Sequence, residues 1–136
     1  MSADSKTAIV LFAHGSASVP AANEAVEHTA RALGERGGYR HVRAAFLEPV
    51  RPDLGDAVAS LAAEGVKRIL VVPYFLTAGV HLLRDLPRIV ERLVRIHDVE
   101  VLVAAPLDGH PAMIGILLDR AREAAEGKPA GSHNHG

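Results

Sequence analysis

Cysteine is absent from the chain, which removes disulfide scaffolds, thiolate zinc sites, iron–sulfur clusters and cysteine nucleophiles together. Tryptophan is absent too, and 3 phenylalanines with 2 tyrosines are too few for an aromatic platform on single-stranded nucleic acid. Charge of one sign is not in excess. At a formal net charge of -1 there is no global pull toward nucleic acid or an anionic membrane, so any anionic ligand must be gripped locally. No apolar run approaches the roughly 20 residues of a membrane helix. Residues 1–7 lack the charged start, apolar stretch and cleavage site of a secretory signal, and a cytoplasmic protein is expected. Glycine-rich nucleotide fingerprints, the phosphate-binding loop with its Lys-Ser/Thr ending and the Gly-x-Ser-x-Gly elbow are all missing. A His-Gly pair does follow the first apolar run, but Ala13 stands where phosphohistidine phosphatase chemistry wants an arginine.

What is present fits one domain: 136 residues, 49% of them hydrophobic, are enough for a real core and leave little room for two. Residues 8–13 form a short continuous apolar run, the pattern of a strand buried on both faces. Ala22, Val26, Ala30 and Leu33 then recur at helical spacing until Gly37-Gly38 stops the helix. Residues 42–47 and 68–73 read as the second and third strands, with a helix carried by Leu54, Val58 and Leu61 between them and Gly65 at its end. A loop over 74–80 leads to His81. Leu82, Leu86, Ile89 and Leu93 make a third helical stripe, in which Pro87 is tolerable only within the first turn. Residues 99–104 give a fourth strand, and Pro111 opens a last helix carrying Ile114 and Leu117.

Four repeats of strand then helix, without hairpin signals, predict an open parallel four-stranded sheet with helices on both faces, a flavodoxin-like α/β fold. The expected organisation is a disordered start over 1–7, one domain over 8–126 and a flexible tail over 127–136 that carries His133 and His135. All strand carboxyl ends share one rim in such a sheet, and ligands bind there near a switch in strand order. The polar residues at those ends are His14-Gly15-Ser16, Glu48, His81 and Asp108 to His110. Two imidazoles and a carboxylate suit a divalent first-row metal with positions left open, which implies exchange or catalysis. Each residue alone reads as an ordinary solvated side chain; the topology that gathers them favours a site. Arg51, Arg84 and Arg88 lie near this rim and suit ligand carboxylates.

These residues resemble the small CbiX-type chelatases of sirohydrochlorin, the cobaltochelatases and their ferrochelatase relatives. The likeness covers about residues 8 to 120. It rests on Ile9 to Ser16, Ala45 to Glu48, Val71 to Leu76, Ala78 to His81, Arg84 to Pro87, and Ala105-Pro106-Leu107. It implies that His14 and His81 handle the metal as ligands and proton acceptors and that Glu48 faces them as ligand or base. Ser16, Arg51, Arg84 and Arg88 are then expected to contact the substrate. Val80 departs from the Gly-Gly-His that members often carry. The resemblance further implies a chelatase-like half-domain working as a homodimer, since longer relatives hold two such domains around one cleft. The metal, Co²⁺ or Fe²⁺ with Ni²⁺ also compatible, is a substrate, and no organic cofactor, nucleic acid or membrane partner is expected. The expected activity is metal insertion into sirohydrochlorin for cobalamin or sirohaem, a lyase reaction. A non-catalytic metal or tetrapyrrole carrier using the same histidines stays open.

Overall fold

Seven consecutive residues, Thr7–Ala13, form strand β1, and all of them are buried. Such a strand needs cover on both faces, and the rest of the first 106 residues supplies it. The computed structural model describes residues 5–128. Strands β2 (His41–Phe46), β3 (Arg68–Pro73) and β4 (Glu100–Val103) join β1 in one sheet of order β2-β1-β3-β4. All pairings are parallel, with Val10 opposite both Arg43 and Val71.

Alternate residues of β1 serve opposite faces. Ala8, Val10 and Phe12 join Ala45, Ile69 and Val71 in a core closed by Leu54, Val58 and Leu61 of helix α2 (Leu54–Ala63) and by Leu86 and Leu93 of helix α3 (Val80–His97). Helix α1 (Pro20–Gly37) covers the other face, where Gly34 lies so near β2 that an added Cβ would stand 2.9 Å from Val42 Cγ2. Leu61 is fully buried, and its truncation to alanine would cost about 2–5 kcal/mol. The expected parallel sheet with helices on both faces is therefore present in β1–β4 and α1–α3.

Two details differ from expectation. His81 lies in the first turn of α3 rather than in a loop, because extended Gly79 ends the connection and its carbonyl accepts the Leu83 N–H at 3.0 Å. Pro87 sits inside α3, beyond the first turn. It removes the hydrogen bond that the Leu83 carbonyl would accept, and Leu86, Ile89, Val90 and Leu93, packed on the core either side of it, hold the helix through the gap.

The chain divides into two compact units, the second beginning at Leu107. Taken by itself, that second unit is a turn with Gly109 at φ 86° followed by helix α4 (Ala112–Ala125). The Nδ1 of His110 accepts the Ala112 N–H at 3.0 Å and so caps the helix start. Ile114, Ile116, Leu117 and Leu118 of α4 are all exposed. Among the described residues no helix is long and apolar enough to cross a membrane. His133 and His135 lie outside the described residues.

Candidate functional site

From β1 the chain moves to one neighbour, β2, and then crosses back to the other, β3. The carboxyl ends of β1 and β3 therefore flank a switch in strand order, where an open α/β sheet leaves a crevice. A cavity of about 710 Å³ lies there, lined from β1, β2, the loop after β3, the start of α2 and one side of α3 as far as Leu93. That is room for a sizeable organic ligand, since small-molecule pockets run to roughly 300–1,000 Å³.

His14, the residue after β1, lines this cavity. Its ring meets Phe75 edge-on, with centroids 5.2 Å apart and planes at 61°, and Phe75 in turn meets Phe12 at 6.0 Å. An aromatic wall thus orients the imidazole while its nitrogens make no hydrogen bond among the described residues. Gly15 follows at φ +75°, pressed against buried Phe46. Ser16 does not line the cavity. Its N–H donates to Asn23 Oδ1 at 2.8 Å and its hydroxyl accepts the Val19 N–H at 2.9 Å, so it fixes the turn into α1.

Glu48 follows β2 and also lines the cavity. The Phe46 N–H donates to the Pro52 carbonyl at 2.9 Å and Phe46 bridges to Asp53, which folds residues 47–52 back and brings Asp53, Leu54 and Gly55 to the same wall. Asp53 caps α2: its carboxylate accepts the Asp56 N–H at 2.9 Å, and the Asp56 carboxylate accepts the Asp53 N–H at 3.0 Å. Arg51 closes this box, donating to Asp56 at 2.8 Å and to Asp53 at 3.2 Å. The Asp56 hydrogen bond, reinforced by the charge of Asp53, raises the Arg51 pKa, and the same bond lowers that of Asp56. Arg51 is therefore engaged with the two aspartates and is not among the residues that line the cavity.

His81 lines the cavity from α3. Its Nδ1 is 2.8 Å from Arg84 Nη2, and because a guanidinium can only donate, Nδ1 is the acceptor and the neutral ring carries its proton on Nε2. Arg84 also lies 3.7 Å from Asp85. It is engaged with its helix neighbours, and neither it nor Arg88 lines the cavity. Three charged lining residues went unassigned in the sequence: Asp53, Asp85 and Arg92. The signals were available, since Asp53 and Asp56 have capping-box spacing, and His81, Asp85, Ile89 and Arg92 follow helical spacing.

His14, Glu48 and His81 thus meet at one cavity as the topology required. They do not close on a single point: among the described residues no three His, Asp or Glu side chains are gathered tightly enough to hold one ion. The three are mounted on separate elements around a wide cavity, which has the donor chemistry for a divalent metal without the geometry of a finished coordination sphere.

The CbiX family model matches residues 8–124. The chain belongs to the CbiX family. Within that family it is 33% identical over 138 aligned residues to the sirohydrochlorin cobaltochelatase of Methanopyrus kandleri, covering 86% of this chain and 96% of that protein. The chloroplastic sirohydrochlorin ferrochelatase of Arabidopsis thaliana is 29% identical, over 82% of this chain and 50% of its own length. Among solved structures, a putative cobalamin biosynthesis CbiX protein from Marinobacter aquaeolei superposes with a TM-score of 0.77 at 32% identity, covering 88% of this chain and 98% of that one.

Proposed function

We propose that the chain is a lyase-class chelatase that inserts a divalent metal, Co²⁺ or Fe²⁺, into sirohydrochlorin on a route to cobalamin or sirohaem. The observation that carries this reading is that His14 and His81, far apart in sequence, line one cavity at the strand-order switch. The names of the cobaltochelatase and ferrochelatase relatives support the substrate.

Insertion exchanges one M²⁺ for two pyrrole protons, so the site must hold an ion loosely and take up two protons. Imidazole does both at neutral pH. His14 and His81 serve as ligands and then as proton acceptors, with Glu48 as a third donor or base. Each role of His81 requires the Arg84 hydrogen bond to break, because Nδ1 must either bind the ion, take a proton, or carry the proton while Nε2 binds. A protonated imidazole no longer ligates, so proton transfer commits the ion to the four macrocycle nitrogens. Among the described residues no tight three-residue cluster forms, which suits an ion that must leave, and Ni²⁺ fits the same donors. No organic cofactor enters the scheme.

The working unit in this proposal is a cytoplasmic homodimer. Four exposed aliphatic residues on α4 support self-association, since exposed apolar residues grouped on one helix mark interaction surfaces. The activity is tested by following macrocycle absorbance with each metal in turn. Turnover beyond one equivalent supports the enzyme and excludes a carrier, and His14→Ala or His81→Ala should lower the rate by about 10²–10⁴-fold. Rates near wild type in both variants would overturn the assigned roles.

A further inference from the structure

The cavity wall on α3 carries a basic residue that the proposed chemistry does not use. Arg92 lines the cavity, yet makes no hydrogen bond or ion pair among the described residues. The other cations nearby are engaged or off the wall: Arg51 is tied to Asp53 and Asp56 and Arg84 to His81 and Asp85, while Arg88 does not line the cavity. Of the three carboxylates that share the cavity wall, Glu48, Asp53 and Asp85, none pairs with Arg92, and two already have partners. Asp53 is neutralised by Arg51 and the α2 cap, and Asp85 by Arg84.

Along α3, Arg92 lies on the same stripe as His81, at a rise of about 1.5 Å per residue, which separates the two by roughly 16 Å. Ile89 and Leu93 fill the wall beside it, and Leu82 lies beside His81. The wall is therefore an apolar strip with an imidazole at one end and a free guanidinium at the other. A flat macrocycle can lay its body on the strip, with its centre at the histidine end and an edge substituent at Arg92.

We infer that Arg92 is a specificity-determining residue that binds a peripheral carboxylate of the tetrapyrrole on the side of the ring remote from metal exchange. The inference rests on the proposed function and adds to it the contact that selects acid-bearing macrocycles. A planar guanidinium takes a carboxylate through two parallel hydrogen bonds, a geometry that lysine cannot reproduce.

The test is titration of the full chain with metal-free sirohydrochlorin, read by absorbance, for wild type, Arg92→Gln, Arg92→Lys and Arg95→Gln, alongside steady-state insertion kinetics and thermal midpoints. Loss of a charge-assisted contact should weaken binding about tenfold or more in Arg92→Gln. KM should rise while kcat changes little, Arg92→Lys should recover part of the loss, and Arg95→Gln should behave as wild type. The thermal midpoint of Arg92→Gln should not move, since a side chain without partners contributes nothing to the fold. Arg92→Gln binding within twofold of wild type overturns the assignment, as does an equal loss in Arg95→Gln. Wild type that fails to bind sirohydrochlorin at all overturns the functional proposal together with this inference.

Discussion

Replacing Gly15 by alanine should damage the protein far more than the same change at Gly65, although both glycines have positive φ, +75° and +92°. An L-residue in that region costs about 1–2 kcal/mol. At Gly65 nothing lies within 4 Å of an added Cβ, so this strain is the whole cost. At Gly15 the new methyl would stand 2.8 Å from Phe46 Cδ1 and 2.9 Å from its Cβ. Phe46 is only 1% exposed and has no free side to retreat to, so overpacking adds about 1–3 kcal/mol. The sum is about 2–5 kcal/mol for Gly15→Ala against about 1–2 for Gly65→Ala. In a chain of this size about 1 kcal/mol moves the thermal midpoint by roughly 4 °C. Urea unfolding followed by circular dichroism gives both values under one set of conditions. Insertion kinetics, measured where both variants stay folded, should show a further loss for Gly15→Ala alone, because His14 is the adjacent residue and the turn must shift to clear Phe46. Two variants of equal stability, within about 0.5 kcal/mol, would refute the steric argument.

Arg84→Met removes the donor that occupies His81 Nδ1 and should tighten Co²⁺ binding by about two- to tenfold; calorimetry showing equal or weaker binding would contradict the assigned tautomer. Phe75→Ala removes the ring that braces His14 and should lower insertion rate more than it lowers tetrapyrrole affinity, which the two titrations separate. The Arg43 hydrogen bond holds the Glu64 carboxyl below its ordinary pKa, with the charge of His41 helping. A depressed folded value gives stability that is present above the unfolded carboxylate range and is lost as pH falls through the folded value. Wild type should therefore exceed Glu64→Gln in urea midpoint at pH 7, with the gap closing in strong acid. Ile114→Glu with Leu117→Glu should convert a dimer to monomer in sedimentation; a wild type that is monomeric at working concentration refutes the homodimer.

Much of the unit that carries the cavity was legible because its strands are apolar runs. The residues 8–13 run has the pattern of a strand buried on both faces, and the periodic Leu, Ile and Val of α2 and α3 showed which faces meet it. His14 and His81 were legible through topology: parallel strands share a rim. Strand order was not, since nothing in β2 or β3 states which side of β1 each takes. The start of α3 was missed because Gly79 offers no side-chain cap, and the fate of Pro87 depended on packing that propensity does not record. The surroundings of the arginines were not legible for a further reason. Whether a surface cation faces a cavity or a neighbouring acid depends on distances of a few ångströms, and Arg51 pairs with a capping box whose two aspartates are in plain view at 53 and 56.

The two histidines are fastened very differently. One ends a strand sealed on both sides, so that altering its mounting means altering the sheet. The other begins a helix reached through Leu76, Thr77 and Gly79, all in contact with solvent. Natural variation or laboratory selection for a different metal should therefore accumulate in this short connection and leave residues 7–13 untouched, as a vice changes its grip through the moving jaw.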